Sequence, residues 1–223
     1  MLKADTLALW DMQATPSSAK VNASTVGAGL TAGVLSPVNL NAPQGIDLAF
    51  DPTDHYIAWS RSAGTSDTSL AAALAENTYF SFTLTPDAGQ ALTITSLSLE
   101  AVAGTAGPSD RSFFALSDIT GYTTGGLLLT GSTVSGSPLM PYNTTTFDQS
   151  FSVDLSANSL FANITDSVTF RIYLRTPTTS QNIGFNDLTI NGLVTAVPEP
   201  SALALLGLGG FALLAVRHRR SQS

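Results

Sequence analysis

Through most of the chain, apolar residues alternate singly with polar ones in short runs divided by Gly, Pro, Asn, Asp and Ser. That period of two is the signature of half-buried antiparallel strands, and it predicts an all-β chain folded as an antiparallel β-sandwich or barrel. The clearest run is Val168–Arg175, where Val168, Phe170, Ile172 and Leu174 alternate with Thr169, Arg171, Tyr173 and Arg175. The first set predicts a core face, and the second a face turned to solvent, to a ligand or to a second packed layer. Phe80–Thr85 repeats the alternation and stops at Pro86-Asp87-Ala88-Gly89, a turn that predicts a hairpin with the run that follows.

In that following run, Leu92–Leu99, the apolar phase slips by one between Ser96 and Leu97, and Ile183, Phe185, Leu188 and Ile190 slip the same way around Asn186-Asp187. A slip of one residue turns every later side chain to the wrong face unless a bulge absorbs it, so a bulge is predicted at both places. Further strands are predicted at 6–10, 46–50, 56–60, 112–117, 126–133 and 146–155, about ten strands in all. One helix of about two turns is expected at Ser69–Glu76, which is alanine-rich and preceded by Asp67 and Thr68 as candidate caps. The Thr-, Gly- and Ser-rich stretches at 25–36 and 120–137 are expected to be long surface loops.

The pattern changes near the C-terminus. The last strand should finish near Gly192–Val194, which closes a β-sandwich domain over 1–194 and leaves 195–223 as a tail. Thr195-Ala196-Val197-Pro198-Glu199-Pro200 then leaves the domain; its two prolines around one residue forbid helix and ladder pairing and predict that the hexapeptide is extended and exposed. Ser201–Val216 then runs sixteen residues without a charge and ends abruptly at Arg217-His218-Arg219-Arg220. A helix of that length is about 24 Å long against about 30 Å of bilayer hydrocarbon, and arginines reaching for the interface close much of the difference. With no polar face, 201–216 reads as a transmembrane helix rather than a buried core helix. The excess of basic residues at 217–220 then holds Arg217, Arg219 and Arg220 in the cytoplasm, and the body lies across the membrane.

Charge follows the same division. The formal net charge of −7 comes from fifteen acids and six bases over 1–197 and from one acid and three arginines after that. With no basic cluster to neutralise phosphates, nucleic acid is excluded as a partner. The absence of cysteine excludes disulfides, thiolate metal sites and cysteine nucleophiles. Met1–Asp11 lacks the apolar core of a secretory signal because Asp5 and Asp11 interrupt it, so a signal peptide is expected upstream of Met1 or not at all.

Candidate chemistry is sparse. His55 is the sole histidine before the tail, and no nucleophile elbow, zinc-protease helix or phosphate loop is present, so no catalytic residue is assigned and the chain reads as non-enzymatic. Asp51 and Asp54, and Asn186 with Asp187, offer oxygen ligands to calcium, while turn and bulge chemistry accounts for both sets as well. No other cofactor is expected. Sugars are bound by exposed aromatic rings with polar neighbours, and the candidates are Tyr56, Trp59, Tyr122, Tyr142 and Tyr173. Tyr173 with its neighbours Arg171 and Arg175 on the non-core face, and Tyr56, are the chief ligand-binding candidates.

The tail resembles the PEP-CTERM sorting signal of Gram-negative bacteria, with the Pro-Glu-Pro motif, the apolar span and the arginine cluster in the same order. The resemblance implies that Pro198, Glu199 and Pro200 are recognised by an exosortase, a membrane transpeptidase-like enzyme. It also implies a transient stay in the inner membrane with the ectodomain in the periplasm, release to the cell surface or beyond, and exopolysaccharide as a partner. The body resembles the sandwich ectodomains found before such tails, in Tyr79–Leu84, Phe170–Tyr173 and Phe185–Gly192, and these are similar to jelly-roll carbohydrate-binding modules. A surface or matrix protein is therefore the expectation; a carbohydrate-binding module is the alternative, and a secreted hydrolase with a fold-assembled carboxylate pair comes third. Because every strand signal precedes the one long apolar span, removing residues 198–223 should leave a soluble domain whose circular dichroism is dominated by β-structure; a helical spectrum would refute the fold expectation.

Overall fold

The structure, a computed structural model, describes residues 4–12, 21–41, 57–60, 67–103, 110–133, 139–140, 149–179 and 181–198. In chain order the strands are β1 (Asp5–Trp10), β2 (Thr25–Val26), β3 (Leu30–Ala32), β4 (Ser36–Val38), β5 (Ile57–Trp59), β6 (Tyr79–Pro86), β7 (Gln90–Ala103), β8 (Ser112–Ser117), β9 (Leu129–Ser132), β10 (Ser150–Asp154), β11 (Val168–Arg175) and β12 (Ile183–Ala196), with helix α1 (Leu70–Glu76) between β5 and β6. One sheet has the order β10-β7-β12-β1-β2, with β5 also on β12; the other has the order β3-β6-β11-β8-β9, with β4 also on β6. Their strand pairs are antiparallel and nested, β1 with β12, β6 with β11, β7 with β10 and β8 with β9, which is the winding of a jelly roll. The two sheets face each other. Trp10 of β1 meets Phe82 of β6 with ring centroids 4.5 Å apart, and Phe185 of β12 meets Phe80 and Phe113 at 5.1 and 5.8 Å.

The alternation predicted from the sequence places the core. Phe80, Phe82 and Leu84 of β6 and Val168, Phe170, Ile172 and Leu174 of β11 are all buried between the sheets. The hairpin expected at Pro86–Gly89 does not form. The turn reverses the chain, but β6 and β7 belong to different sheets, so it carries the chain from one layer to the other. Local turn chemistry specifies a reversal; which strand the chain pairs with afterwards depends on distant partners.

Both predicted bulges are present. Asn186 pairs with Glu100 and Thr189 with Ser98, so Asp187 and Leu188 together oppose Leu99, and Asp187 takes a left-handed φ of 44°. Asn191 pairs with Ser96 and Gly192 with Ile94, which leaves Thr95 as the extra residue and lets both Ile94 and Leu97 face the core. A third irregularity lies in β1, between Thr6 and Ala8, so that Leu7 and Ala8 are both buried. The stretch at 25–36, expected to be a surface loop, instead supplies β2, β3 and the first residue of β4. These pieces pair through backbone groups with β1 and β6 as the chain crosses from sheet to sheet, and such pairing leaves no mark on side-chain hydropathy. Among the described residues of 120–137 the one strand is β9, shorter than the run expected at 126–133. The strand expected at 46–50 lies outside the described residues, as does the transmembrane helix expected over 201–216. Among the described residues no helix is long and apolar enough to cross a membrane.

The bulges on β1 and β7 converge on Gly192 from opposite sides. A Cβ there would stand 2.1 Å from the Thr93 carbonyl oxygen and 2.8 Å from Leu7 Cδ1. Backbone cannot give way as a flexible side chain can, so Gly192→Ala should lower stability by about 2–3 kcal/mol in a denaturant titration. Gly125→Ala, whose new Cβ would have only Thr123 Oγ1 nearby at 3.9 Å, should leave the midpoint unchanged.

Candidate functional sites: the covered outer face and the C-terminal exit

The outer face of β11 carries Thr169, Arg171, Tyr173 and Arg175, the side of the sheet that alternation assigns to them. Helix α1 lies against that face. Alanine and leucine favour the helix, the Ser69 hydroxyl caps it by accepting from the Ala72 N–H at 3.3 Å, and Asn77 ends it in the left-handed conformation. The cap is thus Ser69 rather than Asp67 or Thr68. Asp67 braces it instead, accepting from the Ser69 N–H at 2.8 Å, and the hydrogen bonds from Ser69 hold its carboxyl below the ordinary range.

Under the helix sits a small second core of Ala73, Phe114, Leu116 and Tyr173, edged by Leu70, Leu74, Tyr79 and Tyr122. Tyr173 is 1% exposed and Arg175 is wholly buried, which corrects the expectation that these two stand open for a ligand. The reason is the added layer: alternation fixes which side of the sheet a residue occupies, while α1 decides whether that side sees water. Arg175 binds both ends of the helix, its Nε donating to the Asp67 carbonyl at 2.6 Å and its Nη1 pairing with the Glu76 carboxylate. Arg171 lies between two rings, its guanidinium 3.8 Å from the Tyr122 centroid and 4.5 Å from that of Tyr79, and it donates to the Tyr173 hydroxyl at 3.2 Å. Tyr79 and Tyr173 are also in ring contact at 5.0 Å.

Sequence reasoning had Tyr122 among the candidate rings but missed Tyr79 and Glu76 as partners. Tyr79 was findable, because it precedes the alternating run of β6 on the outward phase and pairs directly with Tyr173. Glu76 reaches Arg175 from 99 positions away in the chain, and no local pattern signals that. Along the rest of this face the hydroxyls satisfy one another, Thr83 with Thr169 and Thr85 with Ser167, each at 2.9 Å. Arg175 and the small core thus hold the helix to the sheet, Arg171 draws the flanking rings together, and the hydroxyl pairs bridge β6 and the start of β11.

Of the calcium candidates, Asp187 lies exposed in the β12 bulge, while Asp51 and Asp54 lie outside the described residues. Among the described residues no three His, Cys, Asp or Glu side chains come together to hold a metal ion. Tyr56, His55, Tyr142 and the side chain of Trp59 also lie outside the described residues.

The second candidate region is the C-terminal exit, where β12 runs past Val194 to Ala196, so Thr195 and Ala196 continue the ladder rather than begin the unpaired linker expected of them, because the prolines that block pairing come only at Pro198. Thr195 pairs with Ala91 and Ala196 with Gln90, and the Val197 N–H donates to the Gly89 carbonyl at 2.8 Å. Pro198 follows at once and is exposed. Residues 196–220 match the PEP-CTERM protein-sorting motif. The motif marks the chain for passage through the membrane and for recognition by an exosortase. The match covers the tail alone, and comparison with curated proteins returns no match. The PEP-CTERM motif therefore begins inside the last strand, at Ala196, and not after a spacer. Glu199, Pro200, Arg217, Arg219 and Arg220 lie outside the described residues.

On the covered face, Tyr122 is half-buried and its hydroxyl donates to the Thr169 carbonyl at 3.0 Å. Burial, with a smaller contribution from Asp118, pushes its pKa up to about 12. Because the folded value lies above the unfolded value of 10.0, the fold favours the protonated ring. This contribution to stability is complete below that unfolded value and is lost as pH rises through the folded one. Tyrosinate absorbance on alkaline titration should show a late-ionising tyrosine that vanishes in Tyr122→Phe.

Proposed function

We propose that this chain is an exported, non-enzymatic surface or matrix protein, whose jelly-roll sandwich is the cargo and whose tail is the address. The observation that carries the reading is the sorting motif over 196–220, with its Pro-Glu-Pro segment, apolar span and arginine cluster in sequence. In this reading 201–216 spans the membrane, Arg217, Arg219 and Arg220 hold the cytoplasmic side, and an exosortase processes the chain at Pro198–Pro200. An acidic, weakly charged body rich in hydroxyl side chains suits hydrated exopolysaccharide surroundings. The nested strand order favours a second reading as a carbohydrate-binding module, although likeness of fold alone does not assign a ligand. A glycan array on residues 1–197 separates the two.

Glu199 offers the sharpest test. Two flanking prolines favour an extended backbone and remove their own N–H groups, so recognition has little beyond carbonyls, the single Glu199 N–H and this one charge. Glu199→Gln keeps the shape and removes the charge, and replacing both Pro198 and Pro200 by Ala keeps the charge and frees the backbone. In an exosortase-producing host either change should leave uncleaved protein in the membrane fraction, retaining its arginine tail. If Glu199→Gln is processed and localised as the parent is, the motif is a linker and the sorting role fails.

A further inference from the structure

The folded domain and the sorting motif overlap. Ala196 is at once the last residue of β12 and the first of the motif, and Val197 is still hydrogen-bonded to the β6–β7 turn. Only Val197–Pro200 then separates the sheet from the apolar span at Ser201, a reach of about 14 Å when fully extended. A processing enzyme that grips its substrate as an extended strand needs backbone groups on both sides of the motif, and those on the upstream side are engaged with β7.

The end of β12 is built differently from its middle. Over Leu188–Gly192 the strand has β7 on one edge and β1 on the other, but among the described residues β1 ends at Asp5, opposite Gly192. From Leu193 onward β7 is the one strand paired with β12 among the described residues. Leu193 is half-buried, Val194 packs against the margin of the core beside Gly29, and Thr195, Ala196 and Val197 are exposed, so the apolar resistance to separation is concentrated at Val194. Gly192 itself is held between Thr93 and Leu7, which sets a firm limit to any peeling. Weakly buried strand ends of this kind open locally without global unfolding.

We propose that residues 193–197 form a detachable handle, which leaves β7 so that the processing enzyme can take up the Pro-Glu-Pro segment with the strand residues before it. The proposal rests on the sorting role argued above. Release adds four residues of reach, about 13 Å, and exposes backbone donors and acceptors for strand-like capture.

The test is a covalent lock. Ala91 and Thr195 are direct partners in the antiparallel ladder, a spacing that accepts a disulfide, and the chain contains no cysteine that could compete. Ala91→Cys with Thr195→Cys, exported into the oxidising periplasm of an exosortase-producing host, should lose cleavage and accumulate with its arginine tail, while each single variant is processed as the parent is. Inserting about eight Gly and Ser residues between Val197 and Pro198 of the locked protein should restore cleavage by supplying the missing reach. Parent-like cleavage of the locked protein without the insert overturns the handle. So does a locked protein that stays uncleaved despite the insert while the single variants process, because the lock then acts otherwise than through reach. A parent chain that is itself uncleaved removes the sorting role, and the handle with it.

Discussion

The structure depends on the pairing of β12 along both of its edges. β7 borders it from Ile183 to Ala196, while β5 and β1 share the other edge over Ile183–Phe185 and Leu188–Gly192. The first strand of the chain and the last are thus neighbours at the centre of one sheet, and the other nested pairs lie inside that closure. From β4 to β8 and again from β9 to β12, strands adjacent in sequence sit in opposite layers, β6 and β7 among them. Formation of the core therefore waits on contacts of long sequence separation, which makes folding slow relative to hairpin-rich sheets. It also means that the strand completing the sandwich is the one continuous with the sorting tail.

Irregularity in that central sheet is what keeps it consistent with its own side chains. Each bulge restores the inward phase of apolar residues that would otherwise turn to solvent, Leu188 and Ile190 after Asp187, and Leu97 and Leu99 after Thr95. The cost is crowding where the β1 and β7 irregularities meet, and only a residue without a Cβ fits there. The same crowding gives β12 two mechanical parts, a clamped length up to Gly192 and a lightly held end beyond it.

On the other sheet, a layer of helix and aromatic rings turns a polar strand face into an interior. Burying Arg175 and half-burying Arg171 is costly unless their donors are met, and here the partners are specific: the Asp67 carbonyl and Glu76 for Arg175, and two ring faces and the Tyr173 hydroxyl for Arg171. Because Glu76 closes the helix and Asp67 precedes it, one guanidinium fixes the position of the whole element. This is a structural use of residues that, in an exposed arrangement, would make a sugar-binding platform.

What could be read from the chain alone was whatever depends on neighbours in sequence. The strict alternation of Val168–Arg175 gave its side of the sheet, the phase slips at Ser96 and Asn186 gave the bulges, and the proline pair with its apolar and basic sequel gave the sorting tail. Each of these is a local steric or hydropathic fact. Tertiary structure alone decided that Pro86–Gly89 changes sheets, that 25–36 forms strands, that α1 covers Tyr173 and Arg175, and that β12 runs into the motif. Those outcomes turn on backbone pairing and on which surface another element happens to cover, and neither is encoded in the polarity of adjacent residues.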